Sequence, residues 1–393
     1  MFCLGYLVPE FPGQTHAFFW REIQAIEDAG TPVRLYSTRR LPPGSCPHAF
    51  AGAASARTTY LFPPRLSSSI RVLIGRPLRL ARAISYVARL HEMPVKGRLR
   101  LLALLPSAAK LVDDADRHGV DHLHIHSCAN AAHLGALANI LGSLPYSLTL
   151  HGDLPVYGTD HAAKMRRAKF VAAVTRPLAE QVRHASPTTD APVIWMGVDC
   201  ARFAPVDGKG HDGAFTVATV ARLNPAKGHR FFLRAMAALK SQGIAVTYLL
   251  AGDGPERPAI EAEIDRLGLN ADVRMLGALD ETQIRDLLGA VDAVALTSVG
   301  QGEAAPVTVM EAMARGIPVI CSRIGGTPDM IIDGVDGFLV PQEDVVAIAE
   351  RLELLVSQPE RAKAIGRAAR LTAIQKFDHR RNAGRLLDHI NAS

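Results

Sequence analysis

The chain has 393 residues, 48% hydrophobic and 21% charged, with 25 prolines and a formal net charge of +6. That is enough material for two domains with sizeable cores, and it excludes a single small module, a collagen-like chain and a disordered one. Five cysteines, Cys3, Cys46, Cys128, Cys200 and Cys321, are odd in number, scattered and free of CxxC spacing, which argues against a disulfide framework and supplies no zinc site.

The start, MFCLGYLVP, has no basic segment ahead of its apolar run, and the apolar stretch at 101–105 is broken by Pro106 and Lys110. Neither a signal peptide nor a spanning helix of ~20 residues is expected, and the expected location is the cytoplasm. Short apolar runs then alternate with helix-period segments from end to end, the signature of parallel sheets covered by helices. The first half predicts strands at 2–8, 32–37, 121–126, 146–150, 170–174 and 192–196, helices at 15–29, 129–141 and 177–185, and a helical insertion over 40–115. A linker rich in Gly, Asp and Pro follows at 199–213. The second half predicts strands at 215–221, 246–251, 272–276, 292–297, 318–321 and 337–340, with helices near 228–241, 256–267, 281–289, 307–315 and 343–356. The expected architecture is two doubly wound α/β domains, 1–198 and 199–375, with a C-terminal helix at 376–393 packing back on the first. Two such domains in series imply a cleft between them, and open sheets bind ligands beyond the carboxyl ends of their strands.

The most informative stretch is 300–320, GQGEAAPVTVMEAMARGIPVI. Pro306 suits a first helical turn, where its missing N–H would be unpartnered anyway, Gly316 suits a left-handed helix end, and Pro318 prevents continuation, so the helix is predicted over 306–315. Its start offers the N–H groups of Val307, Thr308 and Val309 to an anion such as a diphosphate. Glu303 in the preceding loop and Glu311 inside the helix can accept hydrogen bonds from sugar hydroxyls. By spacing alone, a loop acid and a solvated helix residue is the stronger reading of that pair. Arg222 and Lys227 fall in the loop after the first strand of the second domain, and a lysine just before a helix start is unfavourable unless an anion balances it. His122, His124 and His126 alternate along one strand and share a face, but no acidic or thiolate partner stands at ligand spacing, so no metal is expected.

The E-x7-E pair Glu303 and Glu311 resembles the donor-site motif of the family 4 retaining glycosyltransferases. VARLNPAKGHRFFLRAMAAL (220–239), YLLAGDGPERPAIEAEI (248–264), VRMLGAL (273–279) and DAVALTSVGQGE (292–303) resemble further segments of that family in the same order. MGVDCARF (196–203) is similar to its linker, with Met196 in place of the usual Asn. FPGQTHAFFWREIQAIEDAG (11–30) and the stretch 121–153 resemble its exopolysaccharide branch, which includes colanic acid glycosyltransferases; 40–115 is poorly matched.

The resemblance implies the GT-B fold, two Rossmann-like doubly wound domains facing a central cleft. It implies transfer of a sugar from a UDP- or GDP-linked donor to a glycan or lipid-linked acceptor, with no cofactor, no protein-bound metal and no nucleic-acid partner. Arg222 and Lys227 would neutralise the departing diphosphate, with Pro306, Val307 and Thr308 at the helix start. Glu303 and Glu311 would hold sugar hydroxyls, and His151, in LTLHGD, would contact the transferred sugar. Gly13, with Gln14 and Thr15, would form the loop where donor and acceptor meet. Gly252 and Gly254 would build a turn beside the donor, and Met275, Leu276 and Gly277 would offer backbone groups to the base. Glu303-Ala304-Ala305-Pro306 is closest to the exopolysaccharide branch. A nucleotide-sugar epimerase of the same fold, or a noncatalytic nucleotide-binding subunit, are the alternatives.

The charge is uneven. Residues 65–110 carry ten Lys or Arg (Arg65, Arg71, Arg76, Arg79, Arg82, Arg89, Lys96, Arg98, Arg100, Lys110) against Glu92 alone, +9, so the remainder is −3. Arginines alternating with Leu, Ile and Val at helical spacing fit helices resting on an anionic membrane surface, and equally a solvated cationic face.

Overall fold

Short strands that are apolar on both faces need helices above and below them. The computed structural model describes residues 2–13, 16–42, 44–64, 66–206, 214–300 and 303–392; among these, twelve strands form two six-stranded parallel sheets. The first contains β1 (Leu4–Leu7), β2 (Val33–Ser37), β3 (Thr59–Tyr60), β4 (His122–Ile125), β5 (Tyr146–Leu150) and β6 (Val171–Ala173), in the order β3-β2-β1-β4-β5-β6. The second contains β7 (Phe215–Val220), β8 (Val246–Ala251), β9 (Val273–Gly277), β10 (Ala293–Leu296), β11 (Val319–Ser322) and β12 (Phe338–Val340), in the order β12-β11-β10-β7-β8-β9. Counted from its own first strand, each sheet reads 3-2-1-4-5-6, the order of dinucleotide-binding folds. The strand order reverses between β1 and β4 in one sheet and between β7 and β10 in the other.

The sheets belong to two compact units, Met1–Trp195 with Arg380–Ser393, and Met196–His379. In the first, Ala383, Leu386, Leu387 and Ile390 of the helix His379–Ala392 share a core with Leu4, Tyr6, Ile23, Ile26 and Phe170. In the second, Val217, Phe232, Tyr248, Ala295, Ile320, Phe338 and Leu352 form the centre.

The segment 40–115 is not all insertion. Thr59 and Tyr60 pair with β2 as an edge strand, too short to leave a period in the sequence. The helix Leu105–His118 is tied to the sheet by Asp114, which accepts from Arg34 at 3.0 Å and from Tyr36 at 2.9 Å. Three further helices, Leu66–Gly75, Pro77–Ala88 and Val95–Leu102, carry six of the ten basic residues, and Arg76 and Arg89 cap the second of them. Acids just past that window offset part of the charge: Arg71 pairs with Asp113, and Arg76 with Asp116 at 3.0 Å. Arg65 lies outside the described residues.

Two other expectations change. Residues 192–196 make one bridge, Ala173 to Val193, and no strand; Pro192 has no N–H to contribute to a ladder. An unpredicted helix, Pro359–Lys376, carries Arg370, which donates to the carbonyls of Cys200 and Ala314 at 2.6 Å each. No helix among the described residues is long and apolar enough to cross a membrane.

Candidate active site

In the second unit the site forms where the chain leaves the adjacent strands β7 and β10. The loop after β7 runs against the loop after β8, with Ala221 N–H on Ala251 O at 3.0 Å and Leu223 N–H on Asp253 O at 2.9 Å. Gly252 and Gly254 permit this approach: a Cβ on Gly252 would lie 1.8 Å from Ala221 O, and one on Gly254 2.3 Å from Leu223 O. That loop delivers Arg222, which is exposed, and then Lys227 at the end of a 3-10 turn, Pro225–Lys227.

Lys227 Nζ pairs directly with Glu303 Oε1, and Ser298 Oγ donates to the same oxygen at 3.1 Å. Glu303 is only 8% exposed, and its carbonyl accepts from Gly326 N–H at 3.1 Å. Burial, with the Arg222 charge beside it, pushes the Lys227 ammonium down to about 8, and the touching Glu303 carboxylate opposes that fall.

The helix after β10 spans Val307–Arg315, one residue shorter than predicted, with Pro306 as its cap in extended conformation. Thr308 Oγ1 donates to Val220 O at 3.0 Å and so fastens the helix start to the end of β7. Val309 N–H is taken by Pro306 O at 3.1 Å, so of the three donors expected to face an anion, Val307 and Thr308 are the two without a backbone acceptor among the described residues. Glu311 is buried, 6% exposed, which removes the reading of it as a solvated helix residue. At the end of β9, Leu250 pairs with Met275 but Ala251 with Gly277. Leu276 is therefore the extra residue of a bulge, and it is 38% exposed. Bulges of this kind turn a side chain out of a ladder.

In the first unit, His151 follows β5 and its N–H donates to Tyr157 Oη at 2.9 Å. Its Nε2 lies 3.0 Å from Nδ1 of His126, the residue after β4. His126 Nε2 is 3.2 Å from Glu22 Oε1 without a hydrogen bond between them, and that oxygen accepts from Tyr6 Oη at 2.7 Å. His122 and His124 are spent on hydroxyls: His122 meets Ser147 at 2.8 Å, and His124 meets Ser147 at 2.7 Å and Thr149 at 2.8 Å. An acid thus does reach this face, from a helix remote in sequence, although among the described residues no group of three or more His, Cys, Asp or Glu is placed to hold a metal.

Glu22 and Tyr6 are the functional candidates that sequence reasoning missed. The available signal was a carboxylate on the apolar stripe of the helix Ala17–Asp28, between Phe18 and Phe19 one turn before and Ile26 one turn after. Gly13 is buried and its carbonyl accepts from His16 N–H at 3.1 Å. Gln14 and Thr15 lie outside the described residues, as do Gln301, Gly302 and the linker residues 207–213.

The model described as Glycosyltransferase Family 4 matches residues 24–202, and that described as Glycosyl transferases group 1 matches residues 207–372. The chain belongs to the family 4 glycosyltransferases. This glycosyltransferase is 36% identical over 161 residues to the protein named "Putative colanic acid biosynthesis glycosyltransferase WcaL" of Escherichia coli, covering 40% of each chain. It is 29% identical over 233 residues to its Salmonella typhimurium counterpart, covering 58% of this chain and 57% of that one. The matched stretches thus span about half the length of these two relatives. A third relative, 26% identical over 84% of this chain and 96% of its own length, is the GDP-mannose-dependent alpha-(1-6)-phosphatidylinositol monomannoside mannosyltransferase of Mycolicibacterium smegmatis. Among solved structures, Anabaena Alr3699/HepE in complex with UDP matches with a TM-score of 0.76 at 21% identity, covering all of both chains. Sucrose-phosphate synthase from Thermosynechococcus elongatus matches at 0.72 and 20%, again over all of both. The fold is GT-B.

A lysine held near its titration range makes the glycosyltransferase sensitive to alkali. The rate at limiting donor, which reports the free enzyme, is expected to fall as pH rises past about 8, because Lys227 is charged below its pKa and neutral above it. Lys227→Arg should move that fall to higher pH. An unchanged profile in Lys227→Arg would show that another group sets the limb.

Proposed function

We propose that this glycosyltransferase moves a sugar from a UDP- or GDP-linked donor to a hydroxyl of a glycan or lipid-linked acceptor, with retention of anomeric configuration, in exopolysaccharide or cell-surface polysaccharide synthesis. The observation that carries this reading is the convergence of Lys227, Glu303 and the start of the helix Val307–Arg315 at the carboxyl ends of β7 and β10. A diphosphate placed there meets one cation directly, Arg222 beside it, and the two unused N–H groups of Val307 and Thr308. The complexes of Alr3699/HepE with UDP and with UDP-glucose support a nucleotide sugar as donor, and the names of the bacterial relatives support the pathway class.

In this reading the buried ion pair exchanges partners. Lys227 turns to the diphosphate, and Glu303, with Glu311, accepts from hydroxyls of the donor. As the glycosidic bond breaks, Lys227, Arg222 and the helix start stabilise the charge growing on the leaving oxygen. The acceptor attacks on the same face, and the leaving phosphate oxygen takes its proton, so no separate base is required of the protein. Gly13 and His151 serve the sugar and acceptor. Gly252 and Gly254 hold the Arg222 loop in place, and Met275, Leu276 and Gly277 present backbone to the base. The reaction calls for no cofactor and no protein-bound metal.

The basic helices support an anionic membrane surface as partner. On these helices Ile70, Ile74, Leu78, Val95 and Leu99 are between 53% and 77% exposed. Arg82 and Arg89 line a cavity of about 490 Å³ together with Arg166 and Arg167. Four arginines gathered around one cavity favour an anionic headgroup or a phosphate-linked acceptor.

Lys227→Ala and Glu303→Ala are each expected to lower kcat/KM for sugar transfer by about 100-fold or more, and proton NMR of the product should show the donor's anomeric configuration. Wild-type rates in both variants, or an inverted product, would refute the assignment. Vesicles containing anionic lipid should sediment the protein at low salt and release it at high salt, while Arg82→Glu with Arg89→Glu weakens binding. Equal affinity for zwitterionic vesicles would refute the electrostatic contact.

A further inference from the structure

The four arginines around the cavity of about 490 Å³ stand on two walls within the first unit. Arg82 and Arg89 belong to the helix Pro77–Ala88 and its C-terminal cap, and Arg166 and Arg167 follow the short helix His161–Met165. No acid among the described residues lines the cavity. The side chains of Arg82, Arg89 and Arg166 make no ion pair or hydrogen bond among the described residues, and Arg167 meets Asn139 Oδ1 at 3.5 Å. The acids of the adjoining segments each give an oxygen to backbone instead: Glu92 N–H donates to Asp160 Oδ1 at 3.3 Å, and Asp160 N–H donates to Glu92 Oε2 at 2.7 Å. That reciprocal pair ties the end of one wall to the start of the other. Tyr86 Oη, 2.8 Å from His133 Nδ1, anchors the first wall to the helix Asn130–Gly142. The cavity is therefore shaped before any ligand arrives, which lowers the cost of binding one.

We propose that this cavity holds the diphosphate head of an acceptor carried on an apolar chain, with Leu78 beneath the chain. Four cations on one concave surface repel one another, and an anion relieves that repulsion. A guanidinium fork matches phosphate oxygens two at a time. The number of charges then selects among phosphates: a phosphodiester headgroup brings one negative charge, a terminal phosphate about two, and a diphosphate ester more. Four arginines are far more than a phosphodiester needs. The apolar chain follows from helix geometry. Leu78, Arg82, Tyr86 and Arg89 recur at spacings of four, four and three and so share one face. Leu78 is 77% exposed one turn before Arg82, and Ile74, 73% exposed, precedes it. An apolar strip thus leads into the cationic cavity, as an anion on an apolar chain requires. The inference rests on the lipid-linked acceptor of the proposed reaction and gives its head group a site. It differs from diffuse attraction to an anionic surface because it requires Arg166 and Arg167, which lie outside the basic helices.

The test compares two kinds of phosphatidylcholine vesicle sedimented with the full chain, one carrying farnesyl diphosphate and the other brought to the same surface charge with phosphatidylglycerol. The wild-type protein is expected to bind the diphosphate vesicles at least tenfold more tightly. Arg166→Gln with Arg167→Gln, both at exposed positions, should remove that preference while leaving the circular dichroism spectrum unchanged. Lys227→Ala should keep it. Equal affinity of the wild-type protein for the two vesicles would leave diffuse charge alone and overturn the site, as would an undiminished preference in the double variant. A preference lost in Lys227→Ala and kept in the double variant would place the anion in the donor crevice and overturn the site equally. Inorganic pyrophosphate binding as tightly as farnesyl diphosphate would overturn the part given to the apolar chain. None of these outcomes bears on sugar transfer itself, which the kinetics of Lys227→Ala and Glu303→Ala test.

Discussion

In both sheets the first and fourth strands lie side by side, and from there the strand order runs away in opposite directions. The connections leaving two such strands diverge to either side, which opens a crevice at their carboxyl ends. The candidate groups of this glycosyltransferase gather at those points. In the first unit the loop after β1 supplies Gly13, and the residue after β4 is His126, with His151 one strand further. In the second, the loop after β7 supplies Arg222 and Lys227, and the loop after β10 supplies Glu303 and the helix start at Val307. One topological feature, used twice, positions most of the chemistry that each unit carries.

The Lys227–Glu303 pair shows how the second crevice uses charge. Removing two ions from water costs more than their attraction reliably returns, so a buried pair is weak evidence of stabilisation. Its place at the crevice, with Ser298 on the same carboxylate and Arg222 nearby, fits a pair kept for what replaces it. In the first unit hydroxyls occupy His122 and His124, while His126 Nε2 and His151 Nδ1 are buried without a hydrogen-bond partner among the described residues.

Much of this was legible in the sequence, and the exceptions have physical causes. The strands at 146–150 and 246–251 match β5 and β8 to the residue, because short runs rich in Tyr, Val, Leu and Thr between turn residues are strand-prone. Pro306, Gly316 and Pro318 placed the helix at 307–315 within one residue. By contrast, Thr59–Tyr60 is too short to show alternation, and the apparent strand at 192–196 is a β-branched run whose leading proline cannot donate. The charge of 65–110 is partly offset, because Asp113 and Asp116 lie beyond the window yet pair in space with Arg71 and Arg76. Glu22 is hidden for a related reason: its neighbours Tyr6, in β1, and His126, just after β4, are remote in sequence, and only folding brings them together.

In the proposed reaction the crevice between β7 and β10 binds a nucleoside diphosphate through Lys227. Titration calorimetry of UDP and GDP against the full chain tests this most directly. Saturable binding of one of them is expected, weakened at least tenfold by Lys227→Ala and unaffected by His151→Ala. Failure of both nucleotides to bind, or equal affinity in Lys227→Ala, would contradict it.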